Sequence, residues 1–322
     1  MKVLVTGAGG FIGSHLVEFL VSCGYDVRAL CQYNSNSSSG WLSDSILRDI
    51  EVQLGDVRDT GFVQDLTKGV DVVLHLAALV AIPYSYAAPR SYADTNIGGT
   101  LNILEAVRKF DCKLIHTSTS EIYGTPEKVP IDVSHAFRPQ SPYAASKAAA
   151  DHLVKSFVDS FSLQATIIRP FNTYGPRQSR RAVIPTILSQ CLLGNEIEIG
   201  NTQSVRDFTF VTDTVRAFEL AIHTSQIYNG RTIQLGTGNS VSILDLIKEI
   251  SKVTEKKLSI KQSPERLRPP TSEVDILLSD PTQARSELGW KAQVDLQSGL
   301  EWTWKWIQEQ RLSYRNVQSY AR

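Results

Sequence analysis

Short apolar runs alternate with amphipathic segments along the first half of the chain. The runs predict buried strands at residues 2–6, 26–30, 52–57, 70–76, 113–116 and 165–169. Helical spacing follows several of them, at residues 14–22, from beyond Pro83 to about Lys109, and at 143–161. Strands and helices that alternate through short connections are typical of a parallel sheet covered by helices on both faces. The pattern therefore predicts an α/β fold on a doubly wound parallel sheet.

A glycine-rich turn joins the first strand to the first helix. Its sequence runs from Gly7 through Gly10, Phe11 and Ile12 to Gly13, and the second strand follows the helix. Small residues let a backbone turn tightly and let its N–H groups approach a pyrophosphate at the helix amino terminus. An isolated glycine pattern also occurs in ordinary strand–helix turns, but the flanking strands favour a dinucleotide site.

The second half of the chain mixes shorter elements. Helical patterns at residues 212–223 and 243–253 flank a strand at 232–235, and a tryptophan-rich amphipathic segment covers residues 300–310. We find no internal repeat and no linker. We therefore predict a dinucleotide-binding domain at residues 1–170, to which 205–235 returns. Residues 171–204 and 236–322 are predicted to form a smaller, interleaved α/β lobe that binds substrate.

Composition narrows the possible partners. Lys plus Arg equals Asp plus Glu at 33 each, so no basic field indicates nucleic acid or an anionic membrane surface. The four cysteines are widely spaced and suggest neither a metal site nor a redox motif, and three of them lie in apolar contexts. The chain starts on a strand pattern without a charged leader or a membrane span. We expect a cytoplasmic protein with reduced thiols and no metal.

The residues after the second strand leave the choice of dinucleotide open. Residues 31–35 include neither the acidic residue typical of NAD sites nor an arginine typical of NADP sites. Residues 36–40 are polar and of low complexity, which predicts a flexible surface loop rather than a binding segment. Asp56 ends the third strand near the expected adenine, and Ala77 and Ala78 end the fourth, where small residues let a ligand pass close to the backbone.

The side chains best suited to catalysis follow the strand at residues 113–116. Hydroxyls and one carboxylate, from Ser118 to Glu121, follow it at the edge of the sheet where ligands bind in open α/β folds. Tyr143 and Lys147 lie four residues apart at the start of a helix, so a positive charge lies one turn from a phenol. Arg206 lies in a partly apolar segment and needs a partner such as phosphate. Arg180 and Arg181 are predicted to be solvated.

Together these motifs resemble the extended short-chain dehydrogenases/reductases that modify nucleotide sugars, and the resemblance covers almost the whole chain. It rests on residues 7–13, 56–57, 75–78, 169–176 and 206–208, and on Tyr143 with Lys147. It implies a Rossmann-like fold, NAD or NADP as a tightly bound cofactor, a nucleotide-sugar substrate, and a homodimer through helices near 90–108 and 143–161. The cofactor-binding residues that it implies are Gly7, Gly10, Phe11, Ile12, Gly13, Asn34, Asp56, Val57, Leu76, Ala77, Ala78, Asn96, Thr117, Tyr143 and Lys147. The substrate-binding residues that it implies are Thr119, Asn172, Arg206, Arg268 and Glu273.

The triplet Thr119-Ser120-Glu121 discriminates within that family. Epimerases resemble Ser-Ser-Ala or Ser-Ala-Thr at this place, whereas this carboxylate is similar to that of GDP-mannose 4,6-dehydratases. The wider pattern resembles the N-acetylglucosamine-nucleotide 4,6-dehydratases of legionaminic acid biosynthesis. The resemblance implies catalytic roles for Thr119, Ser120, Glu121, Tyr143 and Lys147. Ser120 stands where related dehydratases acting on dTDP-glucose have an aspartate, so the acid for C6 is either Glu121 alone or Glu121 through Ser120.

Two other functions remain open at this point. A 4-epimerase or decarboxylase could use the same scaffold, although a simple epimerase needs no base at C5. A catalytically silent NAD(P)-binding scaffold protein is the alternative from another class, but such a protein would be expected to lack the Tyr143 and Lys147 pair. The sequence does not fix the nucleotide or the sugar.

Overall fold

The structure is a computed structural model that describes residues 1–310, so residues 311–322 of the predicted second lobe lie outside the described residues. In chain order the strands are β1 Lys2–Thr6, β2 Asp26–Gln32, β3 Glu51–Gly55, β4 Val72–His75, β5 Lys113–Thr117, β6 Ala165–Pro170, β7 Asn172–Tyr174, β8 Glu196–Ile199, β9 Val205–Arg206, β10 Phe208–Phe210, β11 Asn229–Leu235, β12 Val241–Ser242, β13 Ser259–Gln262 and β14 Ile276–Leu277.

The helices surround these strands. They are α1 Phe11–Ser22, α2 Asp44–Leu47, α3 Thr60–Thr67, α4 Ile82–Ala87, α5 Pro89–Tyr92, α6 Gly99–Phe110, α7 Pro142–Phe161, α8 Val183–Leu193, α9 Val211–His223, α10 Ile243–Thr254, α11 Thr282–Leu288 and α12 Leu296–Glu309. A π-helical turn covers Ala93–Gly98, and 3₁₀ turns cover Ser120–Tyr123, Ser225–Ile227, Pro264–Arg266 and Pro270–Ser272.

Seven parallel strands form the main sheet in the order β11-β6-β5-β4-β1-β2-β3. The strand order reverses direction at β1, so a crevice forms between the carboxyl ends of β1 and β4. Buried aliphatic residues fill both faces of the sheet, as parallel strands require. The predicted doubly wound α/β fold is confirmed.

The smaller lobe contains short strands outside the main sheet. β10 pairs with β7, β9 lies between β12 and β14, and β13 pairs with β8. Of the predicted returning segment 205–235, β11 joins the main sheet, whereas β9 and β10 pair with the small strands of the lobe. This arrangement places Arg206 and Asn172 across the cleft from the main sheet.

The single helix predicted from beyond Pro83 to Lys109 is wrong. The chain there forms α4, α5, the π-helical turn and α6 in succession. Ala88 breaks the first helix with φ −131° and ψ 53°, because a residue before proline is sterically disfavoured from helical geometry. Several other predicted elements differ at their ends: for example, α1 starts at Phe11 rather than Ser14, and β3 ends at Gly55, before Asp56.

Helix α7 is capped so that its first turn faces the sheet edge. The Ser141 hydroxyl accepts a hydrogen bond from the Ala144 amide at 3.1 Å, and Pro142 occupies the first helical position, where its missing N–H costs nothing. Tyr143 and Lys147 then lie on the buried face of the helix.

The structure bears on the predictions for the cysteines and for membrane-spanning segments. Cys31, Cys112 and Cys191 are buried free thiols, as expected, and Cys23 is exposed. Among the described helices, none combines the length and apolar character that crossing a bilayer would require.

Two buried histidines predict that the protein loses stability in mild acid. His75 and His116 are 2% and 0% exposed, and burial lowers the pKa of both, that of His116 to about 4. The unfolded chain, with ordinary pKa values of 6.5, binds more protons below that pH. The free energy of unfolding should therefore fall as pH drops from about 6.5, by up to ~1.4 kcal/mol per pH unit for each histidine.

Denaturant unfolding of the protein between about pH 7 and about pH 5 measures this slope. His116→Gln should remove roughly half of it, and the exposed His152→Gln should leave it unchanged. Equal slopes in His116→Gln and the unmodified protein would contradict the assignment.

Candidate active site

A cleft of about 1080 Å³ opens where the main sheet meets the smaller lobe. Its lining includes residues that follow the carboxyl ends of β1, β4, β5 and β6, and residues of the lobe opposite. All the predicted site residues except Asn96 and Ser120 line it. The fold therefore brings residues from widely separated stretches of the chain to one place.

The glycine turn after β1 cannot accommodate side chains. Gly7 has φ +69°, and a Cβ there would lie 2.9 Å from the Ala77 amide nitrogen. A Cβ on Gly13 would lie 2.2 Å from the Gly7 carbonyl oxygen. Phe11 and Ile12, between these glycines, begin α1 at the edge of the cleft. The turn thus forms a cradle of bare backbone at a helix amino terminus, which suits a pyrophosphate.

The loop after β2 lies at the surface, as predicted, with most of residues 36–40 exposed, but it also packs on this turn. The Trp41 amide donates to the Gly9 carbonyl at 3.0 Å, and a Cβ on Gly40 would lie 2.1 Å from the same oxygen. The Asn34 side chain closes the loop: its amide donates to the Ser38 carbonyl, and its oxygen accepts from the Ser38 amide. Ser38 and Gly40 consequently line the cleft.

Asp56 and Val57 lie just beyond β3 at the same end of the cleft. Arg58 forms a bidentate pair with Asp56, with the closest contact at 2.6 Å, and this hydrogen bonding lowers the pKa of Asp56. Thr6 supports the neighbouring wall, because its hydroxyl accepts from the amides of Leu76 and Ala77, each at 3.1 Å. Both walls are therefore held by hydrogen bonds before any ligand binds.

Tyr143 lies against Thr119 in the buried part of the cleft. The phenol is 8% exposed, and its ring packs edge-to-face on Tyr92 with centroids 6.3 Å apart. Burial raises the pKa of Tyr143, and the nearby Glu121 carboxylate raises it further, whereas a hydrogen bond from Thr119 lowers it. A hydroxyl pair and a carboxylate thus converge on one point.

Lys147 is buried one turn further along α7. Its ammonium donates to the Thr117 carbonyl at 2.5 Å, and it is 4% exposed. Burial lowers the pKa of Lys147 to about 8, while the Asp151 carboxylate opposes that shift. The pKa of Lys147 therefore lies below that of an exposed lysine.

Glu121 faces the arginines of the smaller lobe. Its side chain is 12% exposed, and its carboxylate lies 3.7 Å from an Arg268 guanidinium nitrogen. Glu273 forms the second such pair: it lies 3.4 Å from the buried Arg206 and accepts from the Ser204 hydroxyl at 3.0 Å. Both arginines line the cleft and are held by carboxylates, so a diphosphate would find two positive charges already positioned.

Four buried polar atoms of the cleft residues have no hydrogen-bond partner within residues 1–310. They are Thr117 Oγ1, Asn172 Oδ1, Gln178 Oε1 and one guanidinium nitrogen of Arg268. Buried polar atoms are nearly always hydrogen-bonded, so unpaired ones in a cleft indicate a ligand that completes them. Together with the glycine cradle, they fit a dinucleotide and a polar substrate.

Two predicted site residues lie behind the cleft. Asn96, in the π-helical turn, bonds Leu79 through both its amide and its oxygen and donates to the Ser146 hydroxyl at 2.9 Å. Its side chain holds the segment after β4 against α7. Ser120 is 3% exposed and begins the 3₁₀ turn that presents Glu121.

Sequence reasoning missed other cleft residues. Arg181, predicted as a solvated charge, is exposed but lines the cleft together with Ser179 and Gln178. No periodic pattern marks these residues, because they lie in a connection between β7 and α8. The loop residue Ser38 had a usable signal, since an asparagine followed by a serine-rich stretch and glycine is typical of a side-chain-closed turn.

Comparison with known proteins shows which family this chain is similar to. A family model described as GDP-mannose 4,6 dehydratase matches residues 4–303. A putative UDP-glucose 4-epimerase of Methanocaldococcus jannaschii is 30% identical over 312 residues, which is 95% of this chain and 98% of the relative. A dTDP-glucose 4,6-dehydratase of Mycolicibacterium smegmatis is 32% identical over 319 residues, with 95% and 93% covered.

A solved structure agrees with these matches. The dTDP-glucose 4,6-dehydratase of Streptomyces venezuelae, crystallised with NAD, superimposes with a TM-score of 0.86 and 26% identity. The superposition covers 98% of this chain and 99% of that one. Dehydratases and epimerases are therefore both similar to this chain over nearly its whole length.

Proposed function

This chain belongs to the extended short-chain dehydrogenase/reductase family of NAD-dependent nucleotide-sugar dehydratases and epimerases, and from that premise we propose that it is a nucleotide-sugar 4,6-dehydratase. The proposed substrate is GDP- or UDP-N-acetylglucosamine, and the product is the 4-keto-6-deoxy sugar. Relatives with both activities match at similar identity, so the proposal rests on Glu121, which distinguishes a dehydratase from an epimerase. A carboxylate beside Thr119 and Tyr143 provides the base at C5 that elimination needs and simple epimerisation does not.

The cofactor is NAD or NADP, which the cleft fits at three points. The glycine cradle would hold its pyrophosphate, Asp56 with Ser38 would lie at its adenosine end, and Thr117 and Lys147 at its nicotinamide end. When bound, the cofactor would supply the hydride acceptor for C4 of the sugar and the hydride donor for C6.

The chain's own residues would handle the protons of the oxidation. Tyr143 accepts the proton of the C4 hydroxyl, and Thr119 hydrogen-bonds the same oxygen. Burial works against this role, because it raises the pKa of Tyr143. The Thr119 hydrogen bond opposes that rise, and Lys147 adds a positive charge one turn away.

Elimination would then fall to Glu121. The C4 ketone acidifies the C5–H bond, and Glu121 removes that proton and passes one to the C6 hydroxyl, which leaves as water. When hydride returns to C6, solvent would supply the proton that C5 takes up, and Tyr143 would release to solvent the proton it took from the C4 hydroxyl. Of the triplet Thr119-Ser120-Glu121, Ser120 is the member that does not line the cleft. We therefore propose that Glu121 carries both transfers, with Ser120 supporting the turn.

The diphosphate would bind on the lobe side. Arg206 and Arg268 provide the charges, and the unpaired Asn172 oxygen provides a site for a donor such as a water or ribose hydroxyl. Glu273 holds Arg206 in place and is proposed to lie near the nucleotide ribose.

Mass spectrometry of the product tests the proposed function. The purified protein is incubated with UDP- and GDP-N-acetylglucosamine, and loss of one water identifies a dehydratase. An unchanged mass with inversion at C4 would instead identify a 4-epimerase, the second candidate, which the relatives named as epimerases favour. An unchanged sugar with cofactor bound would identify a silent binder.

Gly40→Ala tests whether the loop after β2 belongs to the cofactor site. Gly24 is the matched control, because it also has a positive φ, +84°, but nothing lies within 4 Å of its Cβ position. Each substitution should cost about 1–2 kcal/mol of stability through backbone strain. Only Gly40→Ala should displace the Gly9 carbonyl, weakening dinucleotide binding on the order of tenfold, equivalent to ~1.4 kcal/mol.

Fluorescence titration with the reduced dinucleotide measures both variants. If Gly40→Ala binds the dinucleotide as tightly as Gly24→Ala does, the loop is not part of that site.

We also propose a cytoplasmic homodimer. The buried free thiols agree with a reducing compartment. The outer faces of α6 and α7, which include the half-exposed Phe161, are the proposed interface. Light scattering of the purified protein would show a monomer if this interface is wrong.

A further inference from the structure

A fully buried ion pair lies directly behind the proposed oxidation site. Arg169, on β6, donates to an Asp151 carboxylate oxygen at 2.8 Å, and the two side chains are 1% and 0% exposed. The Ser118 hydroxyl donates to the same oxygen at 2.6 Å. Asp151 lies one turn after Lys147 on α7, and the proposed mechanism does not use it.

This carboxylate connects to the strand end that carries Thr119. Ser118 comes immediately before Thr119, and Arg169 also donates to the Ser118 hydroxyl at 3.2 Å. On the other side, His116 Nε2 lies 3.4 Å from the second Asp151 oxygen, which is long for a hydrogen bond. Lys147 contacts the residue in between through the Thr117 carbonyl. Asp151 therefore contacts His116 and Ser118, and these flank Thr117, whose carbonyl accepts from Lys147.

The titratable and charged groups near Lys147 lie on its own helix and on three strands of the main sheet. Tyr143 and Asp151 lie on its own helix, His75 on β4, His116 on β5 and Arg169 on β6. Burial lowers the pKa of both histidines, so they are neutral near pH 7. Burial alone would raise the pKa of Asp151, but His116, Arg169 and Ser118 hold it below its ordinary value. Asp151 is thus the anion that faces Lys147.

We propose that Asp151 is a positioning residue of the oxidation site, which keeps Lys147 in its ammonium form and fixes the strand end that carries Thr119. The proposal rests on the proposed role of Lys147 beside Tyr143. Within residues 1–310 Lys147 forms no ion pair with a carboxylate, and its ammonium donates to the Thr117 carbonyl. A buried ammonium without nearby negative charge loses its proton readily, and a neutral Lys147 would no longer favour the phenolate of Tyr143.

Arg169 makes this arrangement possible. A lone buried carboxylate would itself be neutralised, because burial disfavours its charged form. Arg169 prevents this, so the pair together leaves one net positive charge, on Lys147, next to the phenol.

NMR of Lys147 in protein free of substrate measures the pKa of this lysine and so tests the inference directly. The Cε resonance of Lys147 in isotope-labelled protein, assigned by its loss in Lys147→Met, is titrated with pH. Asp151→Asn should lower the pKa of Lys147 by roughly one to two pH units, as expected for the loss of one nearby opposite charge. Asp159→Asn, an exposed carboxylate on the same helix, should leave it unchanged. An unchanged pKa in Asp151→Asn overturns the proposal.

The turnover profile gives the second measurement. Because catalysis needs protonated Lys147, the alkaline limb of turnover in Asp151→Asn should move towards acid by the same amount. A merely structural role for Asp151 would lower turnover at every pH without moving the limb, and that result also overturns the proposal.

Arg169→Gln covers the case in which Asp151→Asn does not fold. Without the cation, burial should neutralise Asp151, so the pKa of Lys147 should fall as it does in Asp151→Asn; a rise or no change overturns the proposal. The NMR titration does not depend on the reaction catalysed. If no nucleotide sugar loses water but Lys147 titrates as expected, the proposed function fails while this inference stands.

Discussion

Glu121→Gln is expected to stop dehydration while leaving oxidation at C4 intact. Glutamine keeps the size of the side chain but can neither accept the C5 proton nor deliver one to the C6 hydroxyl. General acid–base catalysis contributes roughly 10²- to 10⁴-fold for each transfer. With both transfers assigned to this carboxylate, formation of the 4-keto-6-deoxy product should fall by at least about 10³-fold.

A single turnover separates the two steps. In Glu121→Gln, the absorbance of the reduced cofactor should appear and persist, and mass spectrometry should show no loss of water. Glu127→Gln is the matched control, because this exposed carboxylate pairs with Arg138 outside the cleft and should leave turnover unchanged. Normal product from Glu121→Gln would contradict the assignment of this residue as the base.

Tyr143→Phe is expected to stop the reaction one step earlier. The substitution removes the proton acceptor for the C4 hydroxyl, so turnover should fall roughly 10²- to 10⁴-fold, and no reduced cofactor should accumulate. The fold should persist, because the ring keeps its packing on Tyr92. The lost hydrogen bond with Thr119 should cost only about 0.5–1.5 kcal/mol of stability.

Tyr25→Phe controls for the loss of a tyrosine hydroxyl. Tyr25 donates to Glu219 at 3.2 Å and does not line the cleft, so its removal should not affect turnover. If Tyr143→Phe oxidised the sugar at the normal rate, another group would have to accept the C4 proton. Together, Tyr143→Phe and Glu121→Gln identify the residues that act before and after the ketone intermediate forms.

The sheet and most of the site follow from local patterns. Apolar runs at the right length identify β1, β2, β5 and β6, because a strand buried on both faces is apolar at nearly every position. The carboxyl ends of parallel strands share one edge, so residues that follow them, such as Thr119, were expected to meet. Tyr143 and Lys147 needed only the helical repeat to be placed together.

The predictions that differ from the structure also have local causes. The helix predicted beyond Pro83 breaks at Ala88, because its pattern was given more weight than the effect of Pro89 on the residue before it. Asn96 has polarity that suits a ligand site, but its side chain is used entirely to join Leu79 and Ser146. The loop at residues 36–40 lies at the surface, as its polar sequence predicts, but the backbone hydrogen bond of the following Trp41 to Gly9, which no side-chain pattern marks, holds it against the cleft.

By itself, the sequence determined the parallel sheet, the glycine turn and the presence of an acid, a phenol and an ammonium at one sheet edge, since each depends on spacing within a short segment. Only the tertiary structure decided which partner each of these carboxylates meets. Glu121 meets Arg268 of the other lobe, and Asp151 meets Arg169 behind Lys147. Such pairs join residues far apart in the chain, so the packing of the whole chain determines their distances and the desolvation that sets their pKa values.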